Sequence, residues 1–398
     1  MKHLLSERVS SLAPSATIAM AEKARELKNQ GKDVISLSLG EPDFDTPELI
    51  KDAAKKALDE GYTKYTPVPG FADLRQAICD KLKADSQLDY LPSQIVVSNG
   101  AKQSIANVCL SVLNPGDEVI ILAPYWVSYA QIVQVAGGTP VSVLAGIDSD
   151  YKVGPDQLAA SITDRTRMVM FSSPCNPTGS VYSKEELVAL AGVIEKHPDV
   201  LVLSDEIYEY INYTDKHFSI AQVQAIHERV IVINGFSKAY SMTGWRLGYM
   251  AAHAEIAKAC GKIQGQFTSG ANAMSQRAGI TALQDARQAA DEMKAAFAER
   301  KAVVKELLDA MPGIQANDPE GAFYFFPDAT GVYGKSYGDR QINNSIDLCG
   351  YILDEALVAM VPGEAFGDDR CFRLSYAASM DELREAMARL HAALEKLN

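Results

Sequence analysis

The sequence lacks most of the features that assign a chain to a class at a glance. Its six cysteines, Cys79, Cys109, Cys175, Cys260, Cys349 and Cys371, are scattered, and no two form a C-x-x-C pair. That spacing argues against a disulfide framework and for reduced thiols, as in the cytoplasm. The six histidines are equally dispersed and show no H-E-x-x-H pattern, so the spacing offers no metal site. No run approaches the ~18 apolar residues of a membrane span. The start, "MKHLLSERVSSLAPSATIAM", has no unbroken apolar stretch of the signal-peptide kind. There is no basic block, and the net charge is −13 with both signs mixed along the chain. This argues against nucleic acid or an anionic membrane surface as the main partner. Internal repeats and low-complexity tracts are also missing.

What is present is size and apolar content. At roughly 100–200 residues per domain, 398 residues suit two domains, or one large α/β body with a smaller lobe. The middle of the chain alternates β-rich runs with helical stretches. The runs are "QIVVS" (94–98), "EVIIL" (118–122), "PVSVL" (140–144), "MVMFSS" (168–173), "VLVLS" (200–204), "VIVIN" (230–234) and "LGYMAA" (247–252). Many are apolar on both faces, as in a sheet covered on each side by helices, and the βα alternation predicts a mostly parallel one. "DEMKAAFAERKAVVKELLDAM" (291–311) reads as a long helix. "AFYFF" (322–326), "ALVAMV" (356–361), "CFRLS" (371–375) and a closing helix from about Met380 read as a small α+β lobe, joined by a strand within "DVISLSLG" (33–40). The expected division is 1–47, an N-terminal segment contributing to the small domain; 48–288, the large domain; and 289–398, the small domain.

Several strand ends carry chemistry-bearing residues. "FSKAYSMTGWRLGYM" (236–250) follows an apolar strand with Ser237, Lys238 and Arg246. An isolated lysine there commonly snorkels to the surface. A lysine beside a fixed cation and partly desolvated instead has a lowered pKa and a nucleophilic amine, while arginine and serine hold a phosphate. In "SDEIYEY" (204–210), Asp205 either caps a helix or meets a protonated ring nitrogen, with Tyr208 three residues on. "SSPCNPTGS" (172–180) is a Pro/Gly turn that also fixes the amide of Asn176. "SNGAKQSI" (98–105) is a βα turn whose N–H groups at Gly100, Ala101 and Lys102 suit a phosphate. Trp126 in "APYWVSY" (123–129) is either core or a stacking platform. Arg373 in "CFRLSYA" faces solvent or clamps a carboxylate. Gly40 in "SLGEPDFDTP" permits close backbone approach, and Tyr65 sits in an irregular loop, "GYTKYTPVPGFADLR" (61–75). "ATGVYGKS" (329–336) nearly spells a phosphate loop, but Ala329 replaces its first glycine and no helical stripe follows, so it reads as a chance match.

In this order the motifs "EPDFDTP", "APYWVSY", "NPTG", "SDEIY" and "SKAYSMTGWRLGY" carry a resemblance over nearly the whole chain. It resembles the class I aminotransferases of the fold-type I pyridoxal-phosphate superfamily, and within them the short, prokaryotic subgroup of aspartate aminotransferases. The resemblance implies a three-layer α/β/α large domain with a smaller α+β domain, pyridoxal 5′-phosphate as cofactor, and a cytoplasmic homodimer with shared active sites. It implies ping-pong transamination of L-aspartate and 2-oxoglutarate, small molecules being the only other partners. By the same resemblance Lys238 joins the cofactor aldehyde and shuttles a proton. Asp205 keeps the ring nitrogen protonated, Tyr208 and Asn176 bond the ring hydroxyl, and Trp126 stacks on the ring. Ser237, Arg246 and the amides at Gly100, Ala101 and Lys102 bind phosphate, and Tyr65 reaches the neighbouring subunit's phosphate. Arg373 grips the substrate α-carboxylate beside Gly40, with Trp126 and Asn176 bordering it. The Lys102 side chain, helped by Ser15 and Thr17, is the candidate for a distal carboxylate. Other members of the scaffold act on aromatic, alanine-like or prephenate substrates, or cleave carbon–sulfur bonds as β-lyases.

Overall fold

The computed structural model describes residues 4–10, 12, 16–214 and 216–398. The seven apolar runs lie side by side in one sheet: β1 (Ile95–Ser98), β2 (Glu118–Ala123), β3 (Thr139–Leu144), β4 (Thr166–Ser172), β5 (Leu201–Asp205), β6 (Val230–Gly235) and β7 (Gly248–Ala251). Their spatial order is β1-β7-β6-β5-β4-β2-β3. Strands β2 to β6 are mutually parallel, and β7 runs antiparallel to both β1 and β6. Alternate residues feed two separate cores. Val97, Ile120, Val169, Val202 and Val232 pack on one face, and Val96, Ile121, Met170, Leu203 and Ile231 on the other. Helices Ala101–Val112, Ser128–Val135 and Ala254–Phe267 close the second face, while Ala72–Ser86, Lys184–Glu195 and Ala273–Asp285 close the first. This is the three-layer α/β/α arrangement. Only β3 departs from the apolar pattern, and it lies at the edge, where Pro140 removes no interior ladder bond.

A third core gathers helices Arg287–Asp309, Ser345–Ala356 and Met380–Glu395 around β8 (Tyr324–Phe325) and β10 (Phe372–Ser375), while β9 (Val361–Pro362) packs Val361 into a small adjoining cluster with Phe326 and Phe366. These strands are antiparallel in the order β9-β10-β8. The strand expected over 33–40 is shorter than its apolar pattern suggests. Only Ile35–Ser36 forms a ladder, parallel to Val358–Ala359, and Ile35 and Leu37 enter this core. Beyond them the chain leaves as a strap toward the large sheet. The near-match to a phosphate loop is a single 3₁₀ turn, Thr330–Val332, followed by a hairpin of Ser336–Tyr337 with Arg340–Gln341. With no helix after it, the segment lacks the geometry that holds a phosphate.

A buried charge cluster lies behind the turn that follows β5. Glu206 accepts hydrogen bonds from Ser204 (2.9 Å), Ser219 (2.6 Å) and His217 Nε2 (3.0 Å). Burial alone would raise its pKa, but His217 and these donors hold it below the ordinary glutamate value. Glu209 accepts from the buried Lys81, which also lies 3.4 Å from Asp85. Ligand-type atoms of Glu206, Glu209 and His217 come within 4.8 Å of one another, a grouping that spacing in the sequence does not announce. The positive charge beside it is the Lys81 ammonium. Removing one partner of a buried pair leaves the other charge uncompensated, at about 3–5 kcal/mol. Lys81→Ala is therefore expected to lower unfolding stability by about that amount, read as a fall in urea midpoint at unchanged slope. A loss within experimental error would show that Glu209 needs no cation.

Candidate active site

The carboxyl ends of the parallel strands open onto a cavity of about 270 Å³, the place where ligands of open α/β sheets collect. Asp205 closes β5 and Ser172 closes β4, while Lys238 follows β6. Strand β10 brings Arg373 and β8 brings Tyr324 from the other side. Of the residues singled out from sequence, Thr17, Gly40, Ala101, Lys102, Trp126, Asn176, Asp205, Tyr208, Ser237, Lys238, Arg246 and Arg373 all line this one cavity. Tyr65 does not; it is 97 % exposed. Ser15 lies outside the described residues.

Lys238 is held by a hydrogen bond from Nζ to the Gly40 carbonyl, 2.5 Å away. Burial, followed by the nearby Arg373 guanidinium, brings its pKa down to about 8, with Arg246 adding to the effect and Glu41 opposing it. Asp205 is only 4 % exposed. It accepts from Tyr129 Oη at 2.7 Å and from the Ile207 amide at 3.3 Å. Burial pushes its pKa up to about 6 despite those donors, and among the described residues it forms no salt bridge. Successive residues of this turn face opposite ways, since Asp205 and Tyr208 line the cavity while Glu206 and Glu209 belong to the buried cluster behind it.

Arg373 is 2 % exposed. Its Nη1 donates to Asn176 Oδ1 at 3.0 Å and its Nη2 to the Ser38 carbonyl at 2.5 Å. The guanidinium lies 4.6 Å from the ring centre of Tyr324 and 4.9 Å from that of Phe366. No carboxylate pairs with it among the described residues, Nε has no partner, and burial lowers its pKa. With Oδ1 of Asn176 taken, the two N–H bonds of that amide remain as donors.

The opposite end of the cavity is built for an anion. The first-turn amides of Ala101 and Lys102 have no intrahelical acceptor, and Arg246 and Ser237 join them on the cavity wall. Gly100 departs from expectation. Its N–H donates to the Ser98 carbonyl at 2.8 Å and is not free for a phosphate. The glycine is needed for another reason, because a Cβ there would lie 2.5 Å from Arg246 Nη2 and φ is +83°. Arg246 itself has φ 53° and Ser241 φ 51°, conformations that cost a non-glycine residue about 1–3 kcal/mol. The strap holds this loop in place. Ser241 Oγ donates to the Phe44 carbonyl, Thr46 Oγ1 to the Ser241 carbonyl (2.6 Å), and Trp245 Nε1 to Thr46 Oγ1 (2.9 Å).

Lys102 Nζ lies 4.8 Å from the ring centre of Trp126, and burial, then Arg246, lowers its pKa. Among the described residues Thr17 Oγ1 is buried without a partner. Two cavity tyrosines escaped the sequence reading. Tyr129 stands in a motif already singled out, but Trp126 precedes the helix Ser128–Val135 that carries Tyr129, so helical spacing from Trp126 gave no signal for it. Tyr324 lies in "AFYFF" and carried no signal beyond that of a core strand.

Residues 32–390 match the family described as aminotransferase class I and II. The chain is 46 % identical over 391 residues to an aspartate/prephenate aminotransferase of Cereibacter sphaeroides, covering 98 % of each. It is 44 % identical over 394 residues to the aspartate aminotransferase of Bacillus subtilis, covering 98 % of this chain and 99 % of that one. Among solved structures, the aspartate aminotransferase of Rhizobium meliloti superposes with a TM-score of 0.96 at 41 % identity, covering both chains fully. That of Thermus thermophilus with maleate gives 0.93 at 39 % identity, covering 99 % of this chain and 100 % of that one. The chain belongs to the class I and II aminotransferases.

Proposed function

We propose that the protein transfers the amino group of L-aspartate to 2-oxoglutarate, giving oxaloacetate and L-glutamate in two half-reactions on pyridoxal 5′-phosphate. The observation that carries this is a set of buried charges without partners in one cavity. Among the described residues Asp205 forms no salt bridge and Arg373 pairs with no carboxylate, and Lys238, its pKa lowered, lies near both. A cationic ring, an α-carboxylate and an aldehyde complete that set, and the anion-binding end fits a phosphate. When bound, the cofactor supplies an aldehyde that condenses with amines and a cationic ring that draws electrons from the bond being broken.

The chain's own groups do the rest. Asp205, fixed by Tyr129, would hold a proton on the ring nitrogen, the ring cation supplying the partner that its buried carboxylate otherwise finds in no described residue. Tyr208 and the free N–H bonds of Asn176 orient the ring oxygen, and the face of Trp126 limits tilt. Ala101, Lys102, Ser237 and Arg246 anchor the phosphate. Arg373, beside Gly40, orients the substrate through its carboxylate. Lys238 Nζ, partly neutral at pH 7–8 where an ordinary lysine is almost wholly charged, would hold the cofactor through its aldehyde carbon, with loss of water, and would carry the proton lost from the substrate Cα.

Specificity for a four-carbon dicarboxylate rests on Lys102, with Thr17 on the same cavity wall and Ser15 as the further candidate named from sequence, and the maleate complex of the Thermus relative supports a dicarboxylate. Relatives named aspartate/prephenate aminotransferase make prephenate the second acceptor to test. The exposed Tyr65 completes the phosphate site of a second copy, so the working unit is a homodimer. The division at 47 and 288, with the N-terminal segment serving the small domain, and a cytoplasmic location belong to the same reading.

Lys238→Ala is expected to leave the fold intact, abolish the visible absorbance of the purified protein and lower turnover by at least ~10⁴-fold; retained turnover would sink the assignment of Lys238. Half-reaction rates with aspartate, glutamate, phenylalanine and alanine should favour the first two. Pyruvate and ammonia released from cystathionine without an oxo acid would instead favour a β-lyase. In cofactor-free protein, amine labelling of Lys238 followed by mass spectrometry should rise with pH around a midpoint of about 8. Arg373→Leu removes a neighbouring cation and should move that midpoint upward; an unmoved midpoint would show that Arg373 does not set it. Lys102→Met should raise KM for aspartate about tenfold or more and leave phenylalanine little changed, since a distal ion pair is worth about 1.4 kcal/mol or more.

A further inference from the structure

Tyr324 is fully buried on β8 and borders the cavity, yet none of the roles above uses it. Three observations converge on it. Its hydroxyl lies 2.7 Å from that of Tyr208. The Arg373 guanidinium rests 4.6 Å from its ring centre. A Cβ on Gly40 would fall 2.1 Å from its hydroxyl oxygen and 3.2 Å from Cζ, so the glycine beside the Lys238 ammonium leaves the space this hydroxyl fills.

We propose that Tyr324 is a positioning residue with two separable parts: its hydroxyl sets the hydrogen-bond direction of Tyr208, and its ring sets the plane of Arg373. This rests on the pyridoxal-phosphate reading. Each tyrosine has one O–H. If Tyr208 gives its proton to the cofactor's ring oxygen, the oxygen of Tyr208 must accept, and Tyr324 is the donor at hand. A donor in such a relay strengthens the next one, so Tyr208 becomes a better stabiliser of negative charge on the ring oxygen. Burial keeps both phenols protonated, against the pull of Arg373 on Tyr324. The aromatic face meanwhile restrains a guanidinium that only two oxygens hold, leaving Nε without a partner.

Phenylalanine and leucine at this position separate the two parts. In the holoenzyme, Tyr324→Phe removes the hydroxyl and keeps the ring. The midpoint of the pH-dependent absorbance change of bound cofactor should rise by about 0.5 unit, with KM for aspartate within about twofold of wild type. Tyr324→Leu should show the same spectral shift and also raise KM about fivefold or more. Gly40→Ala drives the hydroxyl away and should copy the spectral shift in wild-type background. It should add little in Tyr324→Phe, where the 2.1 Å clash is gone. An unmoved midpoint in Tyr324→Phe, or additive shifts in the double variant, would overturn the hydroxyl's role. Equal KM in the phenylalanine and leucine variants would overturn the ring's. A wild-type protein with no pH-dependent visible absorbance would instead refute the cofactor reading on which all of this stands.

Discussion

Burying the Arg373 guanidinium costs several kcal/mol that a paired carboxylate would normally offset. Here the offset within the protein is partial: two oxygen acceptors, two aromatic faces and one nitrogen left without a partner. A simple stability argument would replace this arginine with an apolar residue. Its retention at the base of a cavity makes sense if a ligand brings the missing carboxylate. The same uncompensated charge acts on Lys238, whose pKa burial and then Arg373 bring down to about 8. Asp205 is the mirror case, a carboxylate without a cation. Among the described residues the native state thus stores opposite deficits in one cavity, and the ligand chemistry that removes both is narrow.

Holding those groups in place takes backbone that local preference would not choose. Ser241 and Arg246 bracket the lysine loop in left-handed conformations, and the strap from Gly40 to Thr46 ties that loop to the chain entering from the smaller core. The chain just before the strap, Ile35–Ser36, is fixed in the parallel ladder with Val358–Ala359, which anchors the strap's starting end in the smaller core. Gly40 then meets both the lysine amine and the Tyr324 hydroxyl. The turn after β5 solves a related problem. It sends Asp205 into the cavity while Glu206 and Glu209 lock its reverse side to His217 and Lys81, so the carboxylate's position is set by packing on both sides of the backbone.

The sheet was legible in the sequence because six of its seven strands are buried along nearly their whole length, which writes them as short apolar runs, most of them rich in β-branched residues, bounded by turn residues. The strand ends were legible too, since Lys238, Asp205 and Asn176 follow such runs directly. Three kinds of feature were not. The Lys81–Glu209 pair joins positions 128 apart, and no periodicity reports such a contact. Tyr324 is indistinguishable in sequence from the aromatic residues that flank it, because its function depends on the partner its hydroxyl meets. The Gly100 amide looked available from its place at a helix start, but the turn that closes β1 engages it with Ser98. In each case the missing information is a long-range contact or a hydrogen-bond assignment, neither of which residue type alone determines.

The two cations that flank the proposed substrate differ in how they can respond to it. Arg373 is a planar fork fixed by oxygens and stacked rings, so it accepts a carboxylate in one orientation. Lys102 is a point charge on a flexible stem, resting on the face of Trp126, its pKa lowered by desolvation and by Arg246. Leaving that face costs only the cation–π contact, about 0.5–2 kcal/mol, and rotation of the stem carries the charge with it. The α-carboxylate end is therefore rigid and the distal end compliant. In a ping-pong enzyme this asymmetry has a direct use. The donor and acceptor of the two half-reactions share the α-carboxylate but differ by one methylene in the reach of the second, and a fixed fork at both ends would fit only one of them.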